Sequence, residues 1–334
     1  MDGWLSGLPA PRRRAGLLDA RYRLRAGGEP LPSPGRRLTP SCHGDRPTLR
    51  FAPSPNGLLH LGHAYSALLN AEFAGTLGGR LLLRIEDIDP VRSRTELVDA
   101  IARDLAWLGL RFEEPVRRQS EHLAGYAAAV EALASRGLAY PCFCSRGEIA
   151  AAVAAEEVAA GCPALRDPDG TPVYPGTCRR LTVTEAEGRR AAGHPHTWRL
   201  DMTRACAAEP GPYGFTVFAR DLTETSVVAD PGRWGDAVLA RRDVPTSYHL
   251  SVVMDDAAQG ITHVVRGADL LAATDLHVLI ARLLVLPKPR YHHHGLIRDR
   301  DGEKLAKSRG SESLADLRER GVAPDAIRAR LGFA

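Results

Sequence analysis

Thr48-Leu49-Arg50-Phe51-Ala52-Pro53-Ser54-Pro55-Asn56-Gly57-Leu58-Leu59-His60-Leu61-Gly62-His63 is the stretch that decides the fold. Its first five residues suit a short strand, and the two prolines with Asn56-Gly57 forbid regular structure and make a tight loop. A helical stretch from Leu58 to Leu77 follows, closed by Gly78-Gly79. Then comes Leu81-Leu82-Leu83-Arg84-Ile85, a nearly continuous apolar run of the kind a buried parallel strand shows. Strand, loop, helix and strand in that order begin a βαβ unit, so the expected class is α/β.

Working outward, Leu97, Ile101, Leu105 and Leu108 keep helical spacing, as do Leu123, Tyr126, Val130 and Leu133, with Gly137 placed to end that helix. From 141 to about 235 the texture changes. Proline and glycine are frequent, most cysteines lie here, and short strand-like runs (His196 to Leu200, Gly214 to Phe218) replace long helices. From Val238 the long apolar pattern returns, with Ile261 to Val265 strand-like and Leu270 to Leu284 helical. One α/β domain over 48–334 interrupted by a subdomain at about 141–235 accounts for both changes.

Over 334 residues, 44% hydrophobic and 25% charged is the balance of a globular enzyme and excludes collagen-like, disordered and disulfide-scaffold classes. The apolar run Val278 to Leu286 is broken by Arg282 and falls short of a membrane span. Six cysteines without a preceding apolar signal segment favour a reducing cytosol. The net charge of +4 is misleading: residues 1–46 hold nine arginines against four acids. Residues 1–47 therefore read as an Arg-rich, disordered extension or an over-long start, with a nucleic-acid arm as the alternative. Only Lys288, Lys304 and Lys307 are lysine among 44 basic residues. Two of them three residues apart, in Glu303-Lys304-Leu305-Ala306-Lys307-Ser308, suit a mobile phosphate better than a guanidinium fork would.

His60-Leu61-Gly62-His63 opens the first helix, where unpaired N–H groups and the dipole end favour a phosphate. Both imidazoles share one helix face, and Gly62 lets a ring pack against the backbone. Cys142, Cys144 and Cys178 supply three thiolates for zinc, which prefers four ligands in a tetrahedron. The fourth is open between Tyr174, a rare ligand type, and Cys162, chemically the better one. Ordinary reduced core thiols are the alternative.

With the Arg50–His63 stretch at one end and Lys304-Leu305-Ala306-Lys307-Ser308 at the other, the chain resembles class I aminoacyl-tRNA synthetases of the glutamyl group. Their two ATP signatures, HIGH and KMSKS, read here as HLGH and KLAKS. The resemblance implies a Rossmann-type class I aminoacyl-tRNA synthetase catalytic domain with an inserted zinc-bearing subdomain. Arg84-Ile-Glu-Asp-Ile-Asp89, Tyr248 to Asp256 and Val265 to Asp269 look like that group's glutamate-binding segments. A dicarboxylic amino acid needs cations for two carboxylates, here Arg50 and Arg266, and an anion for its ammonium, here Glu86. Ser54 and Tyr248 can donate hydrogen bonds, and Ala52 lies in the same set. His60, Gly62, His63 and Lys307 are the expected ATP contacts, with Mg2+ on the nucleotide and Lys304 closing its loop.

Only 26 residues follow Ser308, room for one or two short helices. Ordinary glutamyl-tRNA synthetases continue into a helical anticodon-binding region, so the chain is most similar to the short glutamyl-Q tRNA(Asp) synthetases. That resemblance favours Tyr174 as the fourth structural Zn2+ ligand. It implies ATP-dependent activation of L-glutamate and its transfer to queuosine in tRNA(Asp), by a cytoplasmic monomer. A truncated glutamyl-tRNA synthetase charging a tRNA 3′ end, and a degenerate zinc-bearing RNA-binding module, are the competing expectations. If Lys307 meets developing phosphate charge, Lys307→Ala lowers glutamyl-adenylate formation about 100-fold while glutamate still binds. Unchanged ATP–pyrophosphate exchange would contradict it.

Overall fold

The computed structural model describes residues 46–297 and 312–333. Lys304, Lys307 and nearly all of the Arg-rich leader lie outside them. The elements run β1 (Thr48–Phe51), α1 (Leu61–Thr76), β2 (Arg80–Ile85), α2 (Thr95–Trp107), β3 (Glu113–Arg118), α3 (Leu123–Ser135) and β4 (Ala139–Cys142). Then follow α4 (Arg146–Ala160), α5 (Val183–Ala191), β5 (Thr197–Leu200), α6 (Met202–Ala208), β6 (Tyr213–Phe218), β7 (Glu224–Ala229) and β8 (Val238–Ala240). The chain continues with α7 (Tyr248–Ala258), β9 (His263–Gly267), α8 (Ala273–Leu283), β10 (Arg290–His294), α9 (Leu314–Glu319) and α10 (Pro324–Arg330).

Seven strands form the main sheet in the order β3-β2-β1-β9-β10-β6-β7, parallel except for the β6–β7 hairpin. α1 packs its buried face, including Leu68, Leu69 and Phe73, with Leu49 and Phe51 of β1 and with Leu83 and Ile85 of β2. α7 and α8 bury Leu250, Val252, Leu276 and Ile280 with Tyr126, Val130 and Leu133 of α3. The first helix starts at Leu61 rather than Leu58, because the His60 side chain caps it and Leu58-Leu59 belong to the preceding loop.

The sequence segment 141–235 divides between two places. β4, β5 and β8 form a separate antiparallel sheet beside the cysteines, whereas β6 and β7 extend the main sheet against β10. Residues 214–218 therefore pair within the main sheet. Beyond the residues left undescribed, Ser313 bridges to His60 and Leu314 N–H donates to the Leu59 carbonyl at 2.7 Å, which ties α9 to the Pro-rich loop.

Two consecutive acids of α7 fasten it to the sheet. Asp256 accepts from Arg84 of β2 at 2.7 Å and from Arg50 of β1 at 2.9 Å. Asp255 accepts from Arg117 of β3, Gln119 and Tyr126 of α3 at 2.7 to 2.8 Å. Arg84 is fully buried and also reaches Glu86 at 3.3 Å. Arg84→Met strips a guanidinium from three buried carboxylates, Glu86, Asp255 and Asp256, so unfolding in urea should show a loss of about 3 to 5 kcal/mol. A loss below about 1 kcal/mol would contradict the anchoring role.

Candidate active site and metal cluster

A cleft of about 1170 Å³ opens where β1, β2, β9 and β10 end, at the carboxyl edge that open α/β sheets offer to ligands. It exceeds the usual volume for one small ligand, about 300 to 1,000 Å³. Arg50, Ala52, Ser54, His60, Gly62, His63, Glu86, Tyr248 and Arg266 all line it, so the structure brings together every described residue expected for glutamate and ATP.

Its nucleotide-like end is the start of α1. His60 Nδ1 accepts from Gly62 N–H and His63 Nδ1 accepts from His60 N–H, both at 3.1 Å. Each neutral ring therefore carries its proton on Nε2, the nitrogen with which it can donate to an anion. The rings lie 3.9 Å apart, and a Cβ at Gly62 would meet His60 Cε1 at 3.0 Å. A side chain at 62 would push the His60 ring from its cap.

Charged groups gather at the other end, among them Arg50, Arg84, Glu86, Asp256 and Arg266. Arg50 and Arg84 share Asp256; burial tends to raise the Asp256 pKa, but the Arg50 and Arg84 charges outweigh it and hold the carboxylate below its ordinary range. Glu86 shifts the opposite way, raised by burial, because its nearest cation, Arg84, bonds at 3.3 Å and is shared. A buried carboxylate compensated so incompletely is a good partner for an ammonium. Arg266 donates to His293, His277, Thr274 and the Leu270 carbonyl, all uncharged acceptors when the histidines are neutral. Burial, then the charge of Arg266, pushes His249 down to about 4 and His277 well below its usual value.

Remote from this cleft's lining, the ligand atoms of Cys142, Cys144 and Cys178 lie within 4.8 Å of one another. Tyr174 Oη sits 3.3 Å from Cys142 Sγ and 3.5 Å from Cys144 Sγ, and Cys144 and Cys178 Sγ are 3.4 Å apart. These donors could hold zinc, whose tetrahedral edges span about 3.8 Å for bonds of about 2.3 Å. Cys162 is exposed and outside the group, which favours the tyrosine as the fourth donor. Burial pushes the Cys144 thiol up to about 11, an environment that a cation would reverse.

The family model for tRNA synthetases class I (E and Q), catalytic domain, matches residues 48–333. The chain belongs to this family. A glutamyl-Q tRNA(Asp) synthetase of Rhodobacter capsulatus is 47% identical over 291 residues, 85% of this chain and 99% of that protein. A glutamate–tRNA ligase 2 of Nitrosococcus oceani is 41% identical over 85% of this chain but 58% of that protein. A solved glutamate tRNA ligase from Elizabethkingia meningosepticum, in complex with its amino acid, superposes with a TM-score of 0.69 at 28% identity. That match covers 86% of this chain and 61% of the ligase chain, so the chain spans about three fifths of its length.

Sequence reasoning places Asp256, which bridges two arginines, and His249 within the segment Tyr248 to Asp256 without giving either a role, and it does not single out His277 or His293, which lie with His249 around a third arginine. One signal was available. Arg84 interrupts an apolar strand, and a buried arginine requires a buried acid, for which Asp255-Asp256 on an otherwise apolar helix is the natural source. For the metal, elemental analysis should find one zinc per chain in the wild type and in Cys162→Ser, and none in Cys178→Ser. Zinc lost with Cys162, or retained without Cys178, would overturn the assignment.

Proposed function

We propose that the chain activates L-glutamate with ATP to glutamyl-adenylate and transfers the glutamyl group to queuosine in the anticodon loop of tRNA(Asp). One observation carries the amino-acid part: Arg50, Glu86, Tyr248 and Arg266 line the same cleft as the imidazole-capped start of α1. Arg50, Arg84, Glu86 and Asp256 balance in charge, and Arg266 adds one positive charge among neutral partners. That uncompensated guanidinium suits a carboxylate of the substrate. The 47% identity to a glutamyl-Q tRNA(Asp) synthetase over nearly all of that protein supports the acceptor.

In the first step the glutamate α-carboxylate attacks the α-phosphorus of ATP and pyrophosphate leaves. Arg50 and Arg266 hold the two carboxylates, Glu86 the ammonium, and Ser54 and Tyr248 donate to the amino acid beside Ala52. His60 and His63 offer Nε2–H to the phosphates over the Gly62 backbone; Lys304 and Lys307 are assigned to the same phosphates from sequence alone. No enzyme nucleophile is required, so rate comes from alignment and from charge placed where it develops. In the second step a hydroxyl of the queuosine cyclopentene attacks the adenylate carbonyl carbon and AMP departs.

Magnesium would arrive on the ATP phosphates, its usual manner at nucleotide sites, since among the described residues the cysteine trio is the one cluster with metal-ligand spacing. Zinc at Cys142, Cys144, Tyr174 and Cys178 would be structural, tying the end of β4 to the Tyr174–Cys178 segment. Among the described residues, no helix is long and apolar enough to cross a membrane.

Exchange of pyrophosphate into ATP should depend on glutamate. Glutamine should be worse by about 2 to 5 kcal/mol, because a neutral amide leaves a buried guanidinium without its counter-charge. Aspartate, one methylene short, cannot span from Glu86 to the far arginine and should also fail. Transfer should reach tRNA(Asp) bearing queuosine, survive loss of the 3′ diol, and be absent with guanosine at that position. Robust charging of tRNA(Glu) would instead favour a 3′-end synthetase, and no exchange at all a non-catalytic RNA-binding module.

A further inference from the structure

Arg266 on β9 is a cation of the amino-acid pocket whose hydrogen bonds among the described residues all go to uncharged groups, and its surroundings fix it in an unusual way. Its Nη1 lies 3.1 Å from His277 Nδ1 on α8, and His277 Nε2 lies 3.1 Å from His249 Nδ1 on α7. A guanidinium has no lone pair to accept with, so Nδ1 of His277 must be the acceptor. The ring proton of His277 then sits on Nε2 and is donated to His249 Nδ1, which places the His249 proton on its own Nε2. The chain has one order of donors only: Arg266 to His277 to His249. On the opposite side Arg266 Nε meets His293 Nε2 of β10 at 3.3 Å, and Nη2 meets Thr274 Oγ1 at 2.7 Å. Four of the five guanidinium N–H groups thus have fixed neutral acceptors.

We propose that His277, backed by His249, is a positioning residue that sets the orientation of the Arg266 guanidinium and, through it, the affinity for the amino acid. The inference rests on glutamate activation as proposed above and adds residues that touch neither substrate nor phosphate. A second proton on His277 would need an acceptor at Nδ1 where a guanidinium stands. From every side the groups facing this ring are Arg266 of β9, His293 of β10, and Tyr248 and His249 of α7, with Arg50 beyond; burial and the charges of Arg266 and Arg50 keep it neutral. His249 is closed off on its far side by Trp234, whose ring centroid is 5.3 Å away. The arrangement presents a cation whose charge none of its fixed partners neutralises, ready for a carboxylate.

The test compares full-length wild type, His277→Leu, His277→Gln and His249→Leu in glutamate-dependent pyrophosphate exchange. Loss of a hydrogen bond to a charged group should raise the glutamate KM in His277→Leu about 10-fold or more, with kcat and the ATP KM within about threefold of wild type. His277→Gln keeps an acceptor oxygen toward Arg266 and a donor toward His249, and should return the glutamate KM to within about threefold of wild type. His249→Leu should move the same constant in the same direction by less. An unchanged glutamate KM in His277→Leu, an equal rise in the ATP KM, or a glutamine variant as impaired as the leucine one would overturn the proposal. Imidazole 15N spectra of the wild type, with His277→Gln for assignment, decide the donor order without relying on the leucine variant folding: Nε2–H tautomers at both rings support it and an Nδ1–H tautomer at His277 overturns it. Wild-type failure to activate glutamate would instead overturn the proposed activity, and with it the affinity role, while the tautomer order is read independently.

Discussion

The carboxylate of Asp256 between Arg50 and Arg84 is the interaction on which the rest of the site depends. Neither arginine could stay buried at the end of its strand without a counter-charge, and one acid serves both. Because Asp256 comes from α7 and the arginines from β1 and β2, the same contact docks a helix on the sheet and defines the floor of the cleft. Asp255 extends the clamp to β3 and α3. Folding energy and site geometry are therefore not separable here: what anchors α7 also places Tyr248, its first residue, at the pocket.

Two solutions to holding an arginine coexist within one pocket. Arg50 is neutralised by a carboxylate and so acts mainly through hydrogen-bond geometry. Arg266 is held by imidazoles, a hydroxyl and a carbonyl, and keeps its whole charge for what enters. Glu86, undercompensated and raised by burial, suits a cation. At the start of α1, oriented Nε2–H groups and helix N–H groups are the donors available to an anion.

Much of the architecture is legible in the sequence because local chemistry dictates it. Pro53, Pro55 and Asn56-Gly57 can only be a loop, the apolar run from Leu81 can only be buried, and His60 with His63 at a helix start has a specific capping geometry. The Pro-rich loop and helix start that line the cleft are legible through the HLGH signature, whereas KLAKS lies outside the described residues. What the sequence hides are contacts fixed only by topology. Asp256 is 206 residues from Arg50, and His277 is 28 from His249, so no periodicity links them. The segment 141–235 looks uniform in composition, yet β6 and β7 leave it for the main sheet because β10, far along the chain, supplies their edge. The choice between Tyr174 and Cys162 likewise needs three-dimensional proximity.

The most direct test of this account is a crystal structure with a non-hydrolysable glutamyl-adenylate analogue. The amino-acid carboxylate should lie against the guanidiniums of Arg50 and Arg266, the ammonium against Glu86, and the phosphate mimic within hydrogen-bond reach of Nε2 of His60 and His63, with the Asp256 bridge intact. An analogue bound away from these groups, or a pocket in which Asp256 releases both arginines, would contradict it.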